Sequence, residues 1–485
     1  MISLIFIGLV GLVITIALVI IISKNPDLWF WVFLNLFFDP GGYVMEFLGG
    51  TLIGPLYITD ACIVGIVMCM IFAKINWNSI FQDKFLLKII YFLILFAAYY
   101  YIFYGGIVPY INNDFNYSTF LIKNRTFSYG FIILIAVYAF SLRSLKYFYI
   151  TTLFIGVICL SLYVITLSTG IKLVPMWEMA RYTSSGMTRI GMSSYGLFYL
   201  IFPFALTTYL LRTKIYVKLK YTHLLYYGGI IMIITQLLTL ARRTQIDTIG
   251  TLVIIIFIIS YLFRTGKLSQ IFKIVIPVIV VVLVLFFTFP KYVGYIATIG
   301  EDTILLMTTG KDSKGEGDYR VSGNDDLLIT KNYIWNNLLL GNGYTHLYWG
   351  TKGYASSPRG DRFAIAADAA FEVPIYNLLF GFGIVGAILI IPLYYLMANL
   401  FFKLIKTLKF NLINYLHDPI TVVFSIYILW TIARKFTLSL YQLSIDFTGE
   451  NLSGTAIIIG IGFALYRKLV IDHLFFMESK SINVI

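Results

Sequence analysis

Charge is what this sequence has least of. Only 12% of its 485 residues are Asp, Glu, Lys or Arg, about half the share of an ordinary soluble domain. With 59% hydrophobic residues, 18% aromatic residues and a mean hydropathy of +0.86, that scarcity excludes a soluble enzyme, a disordered chain and a secreted disulfide scaffold, and points to lipid as the main solvent. Cysteine is scarce as well: Cys62, Cys69 and Cys159 each lie in an apolar stretch and read as small core hydrophobes, with no framework or metal spacing. The four histidines, His223, His346, His417 and His473, show no HExxH or other ligand pattern. No Walker lysine motif and no GxGxxG opening a helix after a strand is present. No metal or other cofactor is therefore expected, and a substrate that brings its own energy is. No internal repeat stands out, unlike the related halves of many secondary transporters.

What is present is a long series of apolar runs. A spanning helix needs about 20 mostly apolar residues. Candidate spans fall at 2–23, 57–73, 86–105, 126–142, 147–168, 190–211, 222–241, 246–264, 272–290, 374–402, 419–440 and 453–471. The first run has no basic residue before it and no small-residue cleavage pattern, so it predicts a retained helix. A further segment at 28–50 is interrupted by Asp39, Pro40, Gly41 and Gly42 and reads either as a short crossing or as a re-entrant pair. The expected fold is all-α, with about 12 or 13 transmembrane helices arranged as a helical part over 1–290, one large loop over 291–371 and a second helical part over 372–485.

The net charge of +13 would suggest nucleic acid for a soluble protein; here its placement matters more. Counting 28–50 as a crossing puts nineteen Lys and Arg on one side, among them Lys24, Lys74, Lys84, Arg143, Lys403, Arg467 and Lys468. Outside the long loop, the other side holds seven. The richer side is predicted to be cytoplasmic, with the 291–371 loop facing out. No nucleic-acid partner is expected.

The long loop holds GDYRVSGNDD at 317–326, KNYIWNNLLLGNGYTHLYWG at 331–350 and SSPRGDRF at 356–363. Tyr344, Tyr348, Trp349 and Tyr354 are flat amphipathic rings among Asn, Asp and Arg, with His346 between them. They suit either stacking on sugar rings or an interfacial aromatic belt. Glu372 precedes Pro374 at the outer edge of a span, where partial desolvation raises a carboxylate toward the range of a general base, and Asp368 lies four residues earlier. The alternative is that Glu372 complements a helix dipole. Arg242 and Arg243 end one apolar run as another begins; Asp247 can pair with Arg243, which leaves Arg242 without a sequence-local partner. Arg189 and Arg320 add cations on the same face, and such a cluster suits phosphate or pyrophosphate. Arg434 and Lys435 lie within a span and can pair with Asp446, Glu450 or Glu372.

Together these features resemble the O-antigen polymerase and O-antigen ligase superfamily of bacterial membrane glycosyltransferases. The resemblance is carried by an arginine at the outer end of a mid-chain helix pair and by Trp335-Asn336-Asn337-Leu338-Leu339-Leu340-Gly341-Asn342-Gly343. It is carried too by Glu372-Val373, nine residues, then Gly383-Ile384-Val385-Gly386. It covers about 230–395, and glutamate stands where the ligases carry histidine, which favours a polymerase. The resemblance implies a polytopic fold of the GT-C glycosyltransferase type in the bacterial inner membrane, active on the periplasmic face. It implies undecaprenyl-pyrophosphate-linked glycans as substrates, and a chain-length regulator and a flippase as candidate partners. By the same token Glu372 would be the base, Arg242, Arg243, Arg189 and Arg320 would hold the pyrophosphate, and Tyr344, His346, Tyr348, Trp349 and Asp368 would hold sugars. An O-antigen ligase, a transporter of polysaccharide or lipid-linked oligosaccharide, and a peptidoglycan-type polymerase are the competing readings.

Overall fold

The computed structural model describes residues 19–37, 51–53, 56–75, 77–169, 181–182, 188–189, 242–264, 325–345, 361–372, 374–411, 418–439 and 449–482, with single positions between 207 and 308. These residues are mainly helical. Strands among them form two minimal antiparallel pairs, β1 (Thr51–Ile53) with β2 (Leu56–Tyr57) and β3 (Arg181–Tyr182) with β4 (Thr188–Arg189). Four helices among the described residues are long and apolar enough to cross a membrane: Lys84–Ile111, Arg125–Thr152, which is broken at Ser144, Ile375–Phe410 and Leu452–Ile471. Thr59–Phe72 and Gly250–Phe263 are shorter apolar helices. The expected spans at 2–23, 190–211, 222–241 and 272–290, and the interruption at 39–42, lie wholly or mostly outside the described residues.

Local chemistry sets where the helices begin. In α1 (Pro26–Phe37), Asn25 Oδ1 accepts from Leu28 N at 3.2 Å, proline occupies the first helical position, where its missing N–H costs nothing, and Asp27 sits in the first turn. After α2 (Ile58–Phe72) and α3 (Trp77–Phe81), Asp83 caps α4 (Lys84–Tyr99) by accepting from Phe85 N at 3.0 Å and Leu86 N at 3.1 Å. The helix does not stop at Gly105-Gly106. It widens into a π-helical segment, Tyr100–Ile107, and runs on into α5 (Val108–Ile111), past the expected end at 105.

After the short α6 (Tyr117–Lys123), the apolar stretch from Arg125 to Thr169 is one continuous helix, α7, except at Ser144, whose φ of −142° and ψ of 27° are not helical. The contacts with α1 show what happens there. Phe37 meets Tyr129 and Phe30 meets Phe140, so the first half runs against α1. Trp31 meets Ser144 and Phe148, and Asn35 meets Thr151 and Thr152, so the second half runs with it. The chain turns back at Ser144, between the expected spans 126–142 and 147–168. Buried Asn35 fastens the second half of α7 to α1: its Nδ2 donates to Trp31 O at 2.8 Å and Thr151 Oγ1 at 3.0 Å, and its Oδ1 accepts from Thr152 Oγ1 at 3.2 Å. Polar pairs of this kind join helices in lipid, where water cannot compete for them.

Contacts between elements sort the charged residues into two ends. At one end Arg143 donates to Ala73 O at 2.6 Å and pairs with Asp27 at 3.3 Å. Arg467 donates to Tyr138 Oη at 2.8 Å, and Tyr138 in turn donates to Asp83 Oδ2, also at 2.8 Å. Lys468 pairs with Asp418 at 2.8 Å. Burial alone would raise the Asp418 carboxyl, but hydrogen bonds from Lys468 and Thr421 outweigh it and hold the group below its ordinary value. At the opposite end Arg125 pairs with Asp60 at 3.3 Å, Tyr129 donates to the same Asp60 oxygen at 2.7 Å, and Ser453 donates to Thr126 O at 2.9 Å. Arg143, Arg467 and Lys468 at the first end belong to the Lys- and Arg-rich set of the charge count, and Arg125 at the other end does not.

The helices α8 (Arg242–Phe263), α11 (Pro374–Asn411), α12 (Pro419–Ser439) and α13 (Gly449–Ile482) complete a bundle with α1, α2, α4 and α7 around one large apolar core. Two further helices, α9 (Asp325–Asn336) and α10 (Asp361–Glu372), stand apart from it with the start of α11. They share a small core of Ile334, Phe363, Ala366, Ala367, Ala370 and Phe380, and Thr330 donates to Ala366 O at 3.0 Å. This cap runs through the expected loop boundary at 371.

Candidate functional site

The cap joins the bundle where two glycine motifs meet. α11 is broken at Gly383, whose φ of 63° and ψ of −168° belong to a region open essentially to glycine alone. A break inside a helix leaves carbonyls before it and N–H groups after it without helical partners, a cost unless other groups take them up. The segment 337–345 answers on both sides. Before the break, Phe380 O accepts from Asn342 N at 2.7 Å and Nδ2 at 3.2 Å, and Gly381 O accepts from Gly343 N at 3.1 Å. After it, Ile384 N donates to Leu338 O at 2.9 Å and Val385 N to Leu339 O at 3.1 Å. Tyr99 Oη lies 2.5 Å from Phe382 O and 2.9 Å from Leu340 O and shares its one hydrogen between them.

The close approach explains the glycines. A Cβ on Gly341 would come within 2.6 Å of Gly381 O, and one on Gly383 within 2.5 Å of Leu339 O. Gly341 and Gly343 also carry positive φ, 72° and 68°. The two ring neighbours of the break divide between cores. Phe380 packs with Phe363 in the cap, whereas Phe382 stacks on Tyr104, ring centroids 4.3 Å apart, in the bundle.

A third element enters through Tyr104. In the π-helical register Val108 N donates to Phe103 O, so the next carbonyl, Tyr104 O, would need the N–H of residue 109, which is proline. Tyr344 N fills that vacancy at 2.6 Å. Tyr99, Tyr104 and Pro109 carry no motif of their own in the sequence, whereas Asn342 belongs to the Trp335–Gly343 motif. The signal was Gly-Gly followed three residues later by proline inside an apolar run, a combination that disturbs helical hydrogen bonding.

The structure places some of the expected site residues and leaves others aside. Tyr344, expected to offer a ring to a sugar, is only 9% exposed and packs edge-on against Phe120 and Tyr104, so its ring belongs to the aromatic core beneath the loop. Asp114, also buried, lies close enough to influence the Tyr344 hydroxyl and is an acid the sequence reading passed over. Glu372 ends α10 and Asp368 lies one turn before it; Arg242 and Arg243 open α8; Arg189 lies in β4, opposite Arg181. The side chains of these five expected residues lie outside the described residues, as do Arg320, His346, Tyr348, Trp349 and Tyr354 entirely. Arg434, within α12, lies over the Trp430 ring at 5.8 Å.

No family model matches this chain, and neither a curated protein nor a solved structure shows significant similarity to it.

Proposed function

We propose that this chain is a bacterial inner-membrane glycosyltransferase of the O-antigen polymerase kind, with a GT-C-type fold and its active site on the periplasmic face. The observation that carries the reading is the seam: the motifs Trp335–Gly343 and Gly383–Gly386, on which the resemblance rests, interlock by backbone hydrogen bonds although some forty residues separate them. The seam also fixes the course of the segment that begins just after Glu372. Charge placement supports the orientation, because the Lys- and Arg-rich ends of the helices gather away from the cap.

In this reading the donor is a growing glycan on undecaprenyl pyrophosphate and the acceptor is a lipid-linked repeat unit. Glu372 takes the proton of an acceptor hydroxyl as that oxygen bonds to the donor's anomeric carbon. The bond from that carbon to the pyrophosphate breaks, and Arg242, Arg243, Arg189 and Arg320 stabilise the departing negative charge. His346, Tyr348, Trp349 and Asp368 hold the sugars. A chain-length regulator and a flippase are the partners such an activity calls for.

The test is elongation of lipid-linked repeat units by purified protein in detergent, where transport has no meaning. Elongation by the native protein and a fall of about 10²- to 10⁴-fold in Glu372→Gln at equal expression are expected. Full elongation by Glu372→Gln would remove the base assignment, and no elongation by the native protein would remove the polymerase reading.

A further inference from the structure

We propose that one face of α9 lies in the headgroup boundary of the bilayer, at the end of the bundle opposite Arg143 and Lys468, so that the cap rests on lipid and does not stand clear in water. The inference is independent of the chemistry proposed above.

It starts from three large apolar side chains that fold away from every core. Leu328, Trp335 and Leu339 are 51%, 72% and 65% exposed. Leu328 and Trp335 are seven residues apart on one helix and fall on one line, which Leu339 extends through the turn that follows. The opposite side of α9 is accounted for: Thr330 and Ile334 are buried against α10. The apolar line therefore faces outward by construction. Exposed Lys331 and Asn332 flank it, and a lysine stem can lie along apolar surface while its charge reaches water. A Trp and Leu line bordered by a cation is the pattern of a helix lying in the interface plane.

Continuity identifies the occupant. Below the seam, α11 exposes Ile384, Ile388, Ile391 and Tyr395 at spacings of three and four residues, a single stripe along a helix of membrane-crossing length. The hydrogen bonds Ile384 N to Leu338 O and Val385 N to Leu339 O set Leu339 beside the top of that stripe. The exposed apolar stripe of α11 thus meets Leu339 at the seam, and Trp335 lies four residues before Leu339. Lipid covers the lower part of this surface, and the same solvent covers its continuation.

The experiment places a spin label at Leu328→Cys, Trp335→Cys and Leu339→Cys, each in the full chain with Cys62, Cys69 and Cys159 replaced by alanine. The proteins are reconstituted into vesicles of phosphatidylethanolamine and phosphatidylglycerol, and collision with oxygen, which concentrates in lipid, is compared with collision with a water-soluble nickel complex. Ile388→Cys serves as the lipid reference and Gln82→Cys, exposed in the turn before α4, as the water reference. Oxygen-to-nickel ratios at 335 and 339 near that of Ile388→Cys, several-fold above Gln82→Cys, with 328 between the references, are expected. Ratios matching Gln82→Cys at 335 and 339 would put the face in water and overturn the proposal. Low collision with both reagents would overturn it in favour of a protein partner or a second copy. Three separate positions keep the test decisive if one variant fails to fold.

Discussion

In the bundle, Trp31, Phe140, Phe148 and Phe424 are wholly buried, stacked or edge-on, within a core that draws on α1, α4, α7, α11, α12 and α13. In the cap, the described residues of α9, α10 and the start of α11 share a core of six buried side chains, three of them alanine, with Ile329, Tyr333, Leu338, Tyr376 and Leu379 packed against it. The bundle has lipid around it and a broad packed interior. The cap has a core too small to hold three short helices by burial alone, and its attachment depends on directed hydrogen bonds from the backbone of 337–345. The difference shows how a membrane protein can carry a small structured unit at its rim: geometry at one seam replaces area.

That contrast can be broken at the seam. Gly383→Ala is expected to have the largest effect, because a side chain there meets Leu339 O and takes a backbone conformation that costs about 1–3 kcal/mol before any clash is counted. Gly454→Ala, in α13, meets nothing within 4 Å and is expected to be neutral or stabilising by up to about 1 kcal/mol. Thermal unfolding of the two variants in the same detergent compares them. Equal midpoints would mean that the seam contributes little.

Phe363→Ala sharpens the comparison from the cap side. Emptying this site in the small core is expected to cost about 3–5 kcal/mol, though locally. Hydrogen exchange should quicken in α9 and α10 and stay slow in α7 and α13. Acceleration spread equally over all four helices would show that cap and bundle unfold as one unit.

The smallest effect is expected at the far end of the bundle. Asp418 and Lys468 are both more than one-third exposed, so Asp418→Asn should cost under about 1 kcal/mol. Because the folded Asp418 carboxyl titrates below its ordinary value of 3.8, its stabilising contribution is complete above that pH and fades as pH falls through the lower folded value. The gap in unfolding midpoint between native protein and Asp418→Asn should hold steady from neutral pH down to about 4 and close below it. A gap that widened on acidification would contradict the assignment.

The parts of this architecture legible in the sequence are those governed by local rules. Apolar runs marked α2, α4, α7, α11 and α13, and the clustering of Lys and Arg sorted the helix ends, because hydropathy and charge act residue by residue in a bilayer. The turn at Ser144 fell where Arg143 and Lys146 interrupt the apolar pattern. The glycine motifs were visible as motifs, but their interlocking was not, since it joins backbone groups freed at Gly383 to those of 338–343, some forty residues earlier. Among the expected sugar contacts, Tyr344 has its ring in the aromatic core, and composition does not tell a ring laid over a substrate from one packed there.

The seam also has a place in time. Tyr99 and its partner Leu340 are 241 residues apart, so at about 5–20 residues per second the ribosome needs roughly 10–50 s to deliver the second after the first. The bond from Tyr344 N to Tyr104 O waits on the same interval, because its donor is made after its acceptor. The first half of this protein is therefore born incomplete, and the arrival of 337–345 followed by α11 is the step that closes it.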